Sequence, residues 1–130
     1  MAGYVTNIER DTIENDDYRR VVFTGPNTQL VLMMLRPGEE IGLEAHGGHD
    51  QFIRVEKGTG YVELDGKRHE LEDGSAVVIP SGAKHNVVNT SGSEALRLYT
   101  LYRPPEHPDG TVQHTKADEA AAKARAGTSA

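Results

Sequence analysis

Turn residues recur through most of this chain at intervals short enough to leave only strand-length apolar runs between them. Gln29–Leu35, Gln51–Glu56, Gly60–Gly66, Ser75–Pro80, His85–Thr90 and Ala95–Tyr102 are each short and rich in β-branched or aromatic residues. Tyr18–Gly25 reads as a further strand, closed by Gly25-Pro26-Asn27. Short strands at regular spacing predict a sandwich or a barrel. Asp65-Gly66, between "YVEL" and "KRHEL", predicts a two-residue hairpin, because both positions tolerate positive φ. One segment alone reads as helical, the alanine-rich Lys116–Ala126, which has charges three to four apart and almost no apolar stripe. Such a helix is marginal by itself and is expected to be a frayed, exposed tail without chemistry. The fold class is therefore all-β, with a barrel domain over 1–115 and a short C-terminal helical tail over 116–130.

A chain of 130 residues with 36% apolar residues can bury one real core. A net charge of -6 argues against a nucleic-acid backbone as partner, since phosphate binding wants a basic face. No apolar run approaches the ~18 residues that suggest a bilayer span, so no membrane is expected. The opening Met1–Asp11 has neither the basic nor the apolar region of a secretory leader, and a cytoplasmic location is the expectation. With no cysteine, disulfide frameworks, thiolate metal sites and cysteine nucleophiles are all excluded.

Against that background one stretch stands apart. Glu44, His46, His49, Asp50 and Gln51 crowd into eight residues before the chain turns apolar again. In an extended strand Glu44 and His46 point the same way, and Gly47 and Gly48 allow the sharp turn that leads to Gln51. A second cluster follows in "GSAVVIPSGAKHNVVN", where Pro80-Ser81-Gly82 turns the chain and His85 opens the next strand.

The second cluster resembles the second motif of the cupin superfamily at every position: Gly74, Pro80, Gly82, His85 and Asn89. The first is similar to the first cupin motif in spacing, running from Gly38 through Glu44-Ala45-His46 and Gln51 to Gly58, while two ligand types differ. The resemblance covers residues 38 to 89 and implies a double-stranded β-helix, the jelly-roll or cupin barrel. It also implies a divalent transition metal (Fe, Mn, Co, Ni or Zn) held by Glu44, His46, Gln51 and His85. The carboxylate stands at the first motif-one ligand position instead of the last, so the formal charge of the ligand set is unchanged. Asn89 reads as structural and His69 as plain surface.

"DQFIRVEKG" and "PPEHPDGTV" resemble small single-domain cupins loosely described as mannose-6-phosphate-isomerase-like. The expectation is a metal-dependent isomerase or lyase acting on a small oxygenated molecule, a sugar or keto acid, with His49, Tyr61 and Tyr99 as candidate bases. An Fe-dependent dioxygenase and a non-enzymatic metal-dependent ligand sensor are the alternatives. The proline-rich Tyr102–Lys116 holds His107, Asp109 and His114; it reads either as a loop on the barrel exterior or as a flap over the metal. Gln29–Leu35 is apolar on both faces, so one sheet needs an outer cover, and a homodimer is expected to supply it.

Overall fold

A computed structural model describes residues 2–45 and 47–128. Along them run α1 (Ile8–Glu14), β1 (Arg19–Thr24), β2 (Gln29–Leu35), β3 (Asp50–Lys57), β4 (Gly60–Leu64) and β5 (Lys67–Leu71). Then come β6 (Ala76–Ile79), β7 (His85–Asn89), β8 (Leu96–Arg103), β9 (Val112–Gln113) and α2 (Lys116–Thr128). Every strand pairing is antiparallel. A large sheet has the order β6-β3-β8-β2-β1-β9 and a small one the order β5-β4-β7. The segment before β3 extends the small sheet through bridges from Glu40 to Val88 and from Glu44 to His85. The two sheets close on a core that includes Val31, Leu35, Ile53, Val62, Val87 and Leu98. This is the double-stranded β-helix. None of the described helices is long and apolar enough to cross a membrane.

Alternation sets which side chains enter the barrel. On β3, Gln51, Ile53 and Val55 are buried while Asp50, Arg54 and Lys57 are exposed. On β8, Leu96, Leu98, Thr100 and Tyr102 are buried between half-buried neighbours. A one-residue slip would exchange these sets, so the register is held by the whole inner face. β2 departs from alternation, since Leu32 and Met34 on its other face are buried too. Their cover is α1, a helix that the periodicity of the sequence does not reveal. It packs across β2, β3 and β8, with the Asn7 side chain capping its first turn through a bond from Arg10 N. Arg97, on the outer side of β8, donates to the Asn15 carbonyl and, at 3.1 Å, to Asp16, pinning the chain that leaves the helix. The outer cover for which a second subunit was invoked is thus supplied in part by the chain itself.

The C-terminal helix forms as expected and most of its described side chains are exposed, yet it is anchored to the barrel. Thr115 and Asp118 bond reciprocally at its start, a capping box. One turn on, Glu119 is buried to 6% exposure against the barrel. The helix docks by a charged side chain, which is why no apolar stripe announced the contact.

Two turns illustrate different demands on glycine. In the β4–β5 hairpin, Asp65 and Gly66 have φ of 50° and 83°, as the sequence predicted, and a Cβ on Gly66 would meet open space. Gly58 has φ of 112°, and a Cβ there would lie 2.6 Å from the Ala95 carbonyl oxygen. Gly66→Ala is therefore expected to cost about 1 kcal/mol and Gly58→Ala about 2–4 kcal/mol, by strain plus clash. Thermal or urea melts of the two variants check the order; equal losses would refute it.

Candidate functional site

The ligand-rich segment enters the barrel at one end, and the backbone fixes how. Glu44 N donates to His85 O and His85 N donates to Glu44 O, both at 2.8 Å. Such a reciprocally bonded pair places the two residues directly opposite, with side chains on one side of the sheet. Glu44 Oε2 lies 3.9 Å from His85 Nε2. The other ring nitrogen of His85, Nδ1, is 3.0 Å from the Ala83 carbonyl oxygen. A carbonyl only accepts, so Nδ1 carries the hydrogen, and in the neutral ring Nε2 presents its lone pair toward Glu44. His85 is 4% exposed.

On the facing large sheet, Gln51 is buried and its Nε2 donates to Thr100 Oγ1 at 3.0 Å. That bond turns the amide so that Oε1 is buried without a hydrogen-bond donor among the described residues. Leaving a buried acceptor unsatisfied costs about 1–3 kcal/mol. A cation fits this oxygen as a donor would. The residues therefore fit a bound metal ion: an oriented amide oxygen on one wall, a carboxylate and an imidazole lone pair on the other. His46, expected as a further ligand, lies outside the described residues. Among the described residues no three His, Cys, Asp or Glu side chains form a metal cluster by themselves; Glu44 and His85 supply two, and Gln51 is a different donor type.

Tyr102 lies beside Gln51 in the β3–β8 register and faces inward with it. Burial pushes its hydroxyl well above the usual tyrosine range; Arg19 opposes this, and Glu44, Glu106 and Glu119 reinforce it. Tyr102 thus stays protonated, a hydrogen-bonding group and not a base. The same holds for Tyr18, raised chiefly by burial and then by Glu119.

The candidate bases fall out differently. Tyr61 alternates with the inward Val62 and carries the Arg68 guanidinium over its ring at 4.0 Å, on the barrel's outer face. Tyr99 lies between the inward Leu98 and Thr100, and its ring sits 6.3 Å from Phe52 on the outer side of the large sheet. Neither is positioned to serve a site inside the barrel, because neighbouring strand residues point to opposite faces. His49 is at the mouth, with Nδ1 2.8 Å from the Pro104 carbonyl and Nε2 3.0 Å from Glu106 Oε2.

The proline-rich loop reaches the mouth as well. The buried Gln29 side chain accepts from the backbone N–H groups of Glu106 and His107 at 3.1 and 2.9 Å, and donates to His107 O at 2.7 Å. This lays the His107 ring edge-on against Tyr102, with centroids 5.2 Å apart. Asp109 is exposed, and His114 pairs with Asp17 at 2.6 Å on the outside. Asn89, whose Nδ2 donates to the carbonyls of Leu35, Arg36 and Glu94, ties strand ends together.

Sequence reasoning passed over Arg19. It shares the inward face of β1 with Val21, is 3% exposed, and its Nη1 binds Glu119 Oε2 at 2.5 Å and Gln113 Oε1 at 2.8 Å. The signal was available: in "YRRVVFTG" alternation puts Arg19 and Val21 on one face.

The cupin domain model (Cupin_2) matches residues 31–102. The chain belongs to the cupin family. YrkC of Bacillus subtilis, an uncharacterized protein, is 46% identical over 126 residues, 92% of this chain and 67% of YrkC. The crystal structure of BH2720 from Bacillus halodurans superposes with a TM-score of 0.89 at 44% identity, covering 92% of this cupin and 95% of that chain. The dimethylsulfoniopropionate lyase DddW of Ruegeria pomeroyi is 36% identical over 62 residues, 48% of this chain and 39% of DddW.

Two outcomes follow from this geometry. Burial pushes the Glu119 carboxyl up, but Arg19, with help from Lys123, outweighs it and holds the group below the usual glutamate value of 4.5. A depressed folded-state value gives stability that is present above the unfolded value and lost as pH falls through the folded one. The hold of α2 should therefore weaken below about pH 4.5, read as protease cleavage near residue 119; cleavage unchanged down to the onset of global unfolding would refute it. Among ligand variants, Glu44→Gln should weaken divalent-ion binding at least ~tenfold and His85→Ala more, while Gln51→Glu should tighten it. Plasma mass spectrometry of dialysed protein reads the order, and full occupancy in Glu44→Gln would overturn the assignment.

Proposed function

We propose that this cupin is a metal-dependent isomerase or lyase acting on a small oxygenated molecule. The observation that carries the reading is Gln51 Oε1, a buried acceptor oriented by Thr100 and left without a donor among the described residues. Glu44 and His85 stand as a backbone-locked pair on the opposite sheet. Glu44, Gln51 and His85 would hold the ion, and the family resemblance adds His46. When bound, a divalent ion supplies Lewis acidity that polarises a substrate oxygen and acidifies a neighbouring C–H.

The chain's own groups then divide the remaining work. Glu106 is the carboxylate we assign to take a proton at the mouth, because it lines the same cavity as Glu44. Tyr102, kept protonated by burial, can donate to a developing oxyanion. Gln29 holds the loop backbone that carries Glu106. The lyase named among the relatives favours elimination within this class, although that match covers only 39% of its length.

Protein purified without a nickel column should carry about one divalent ion per chain. It should also exchange the hydrogen next to the carbonyl of a keto sugar or 2-keto acid in D₂O, followed by NMR. Chelation should stop the exchange, and Glu106→Gln should slow it by about 10²-fold or more while sparing metal content. Exchange that ignores both chelator and Glu106 would overturn the reading, and oxygen uptake with Fe(II) would put a dioxygenase in its place.

A further inference from the structure

Between α2 and the barrel mouth lies a cavity of about 270 Å³, near the small end of the ~300–1,000 Å³ typical of ligand sites. Arg19, Glu119 and Lys123 line it together with Glu44, Glu106 and His107, so it opens beside the candidate metal ligand.

Three features set this cavity apart from a docking seam. Its cation is an arginine that is 97% buried, given its 3% exposure, and that projects from the inner face of the barrel. A buried donor at this wall is unsatisfied: Arg19 Nε has no hydrogen-bond partner among the described residues. It calls for an acceptor, and an anion with two oxygens supplies acceptors to a guanidinium in the geometry it favours. Finally, Glu119 is the only buried side chain of residues 116–125 in α2. Besides the Arg19–Glu119 pair, Lys116 Nζ donates to the Glu40 carbonyl, and in the buried pair the desolvation of both charges offsets much of their attraction. Exchanging one carboxylate for another at Arg19 would leave the guanidinium paired throughout.

We propose that this cavity is an anion subsite that takes the carboxylate of a small substrate on Arg19. Glu119 is the internal carboxylate that occupies the guanidinium until the substrate replaces it. The subsite selects the carboxylate-bearing class, a 2-keto acid and not a neutral sugar. It rests on the metal reading only for where the reacting end of the molecule goes. Lys123, 3.6 Å from Glu119, would receive that carboxylate when it leaves Arg19.

The test is calorimetric titration of pyruvate, with pyruvamide as the uncharged control, against wild type, Glu119→Gln and Arg19→Lys. Each protein is studied with metal and after chelation, and its metal content is measured separately. Glu119→Gln keeps the shape of the side chain and removes the competitor, so pyruvate should bind it about tenfold more tightly than wild type. Arg19→Lys keeps the charge but loses the fork, so pyruvate should bind it at least about tenfold more weakly. Saturating pyruvate should also speed proteolysis of α2 in wild type, which a purely structural ion pair would not do. Equal affinity in wild type and Glu119→Gln, pyruvamide binding as well as pyruvate, or no saturable binding to Glu119→Gln at tens of millimolar would each overturn the subsite. Should Arg19→Lys fail to fold, the Glu119→Gln comparison still decides. Dependence on residue 119 that persists in metal-free protein supports the subsite even if the metal reading fails. Normal metal content with indifference to residue 119 removes the subsite alone.

Discussion

Two backbone hydrogen bonds between Glu44 and His85 set the geometry on which the mouth of this barrel depends. They join a segment outside the regular strands to the edge of the small sheet, and they turn a carboxylate and an imidazole to one side of it. A slip of one residue would send both side chains to the outer face. The apolar core below resists such a slip, since Val87 on β7 and Ile41 beside it pack into the same cluster. Ordinary core packing thus aligns groups that have no packing role themselves. Gln29 works in the same way on the opposite side, for its buried amide is satisfied by the loop carrying Glu106 and His107. Gln51 has the same side chain and similar burial, yet its carbonyl oxygen is left open. The contrast between the two glutamines separates an amide whose oxygen is satisfied from one whose buried oxygen has no donor among the described residues.

Much of this arrangement was legible in the sequence. The strands are legible because a half-buried strand must alternate, and the hairpin at Asp65-Gly66 because its φ values suit few residues. Motif two was legible through its turn at Gly82 and its strand opening at His85. What escaped shares a physical cause. α1 is seven residues long and owes its existence to the sheet it covers, so local pattern carries little trace of it. α2 was visible as a helix, but its docking runs through the Arg19–Glu119 pair, and residues 100 apart leave no periodic signature. Tyr61 and Tyr99 were proposed by residue type alone; strand parity against Val62 and Leu98 would have placed both outside the barrel.

The swapped ligand types acquire a meaning from where charges stand on the two walls. Gln51 and Arg19 belong to the large sheet, Glu44 and His85 to the small sheet and its extension. In the usual cupin pattern the carboxylate would open β3, at the position of Gln51, and so share a wall with Arg19. β8 and β2 stand between these two positions, so they share the wall without being neighbours. Moving the carboxylate to position 44 leaves a neutral amide on the large-sheet wall and gathers the ligand charge on the small-sheet side. Arg19 takes its carboxylate partner from α2. Under the proposed function this polarity gives an anionic substrate one orientation, carboxylate toward the large sheet and reacting oxygens toward the ion. The carboxylate of the ligand set thus stands at position 44 on the small-sheet side and a neutral amide at position 51 on the large sheet, with the net charge of the set left as it was.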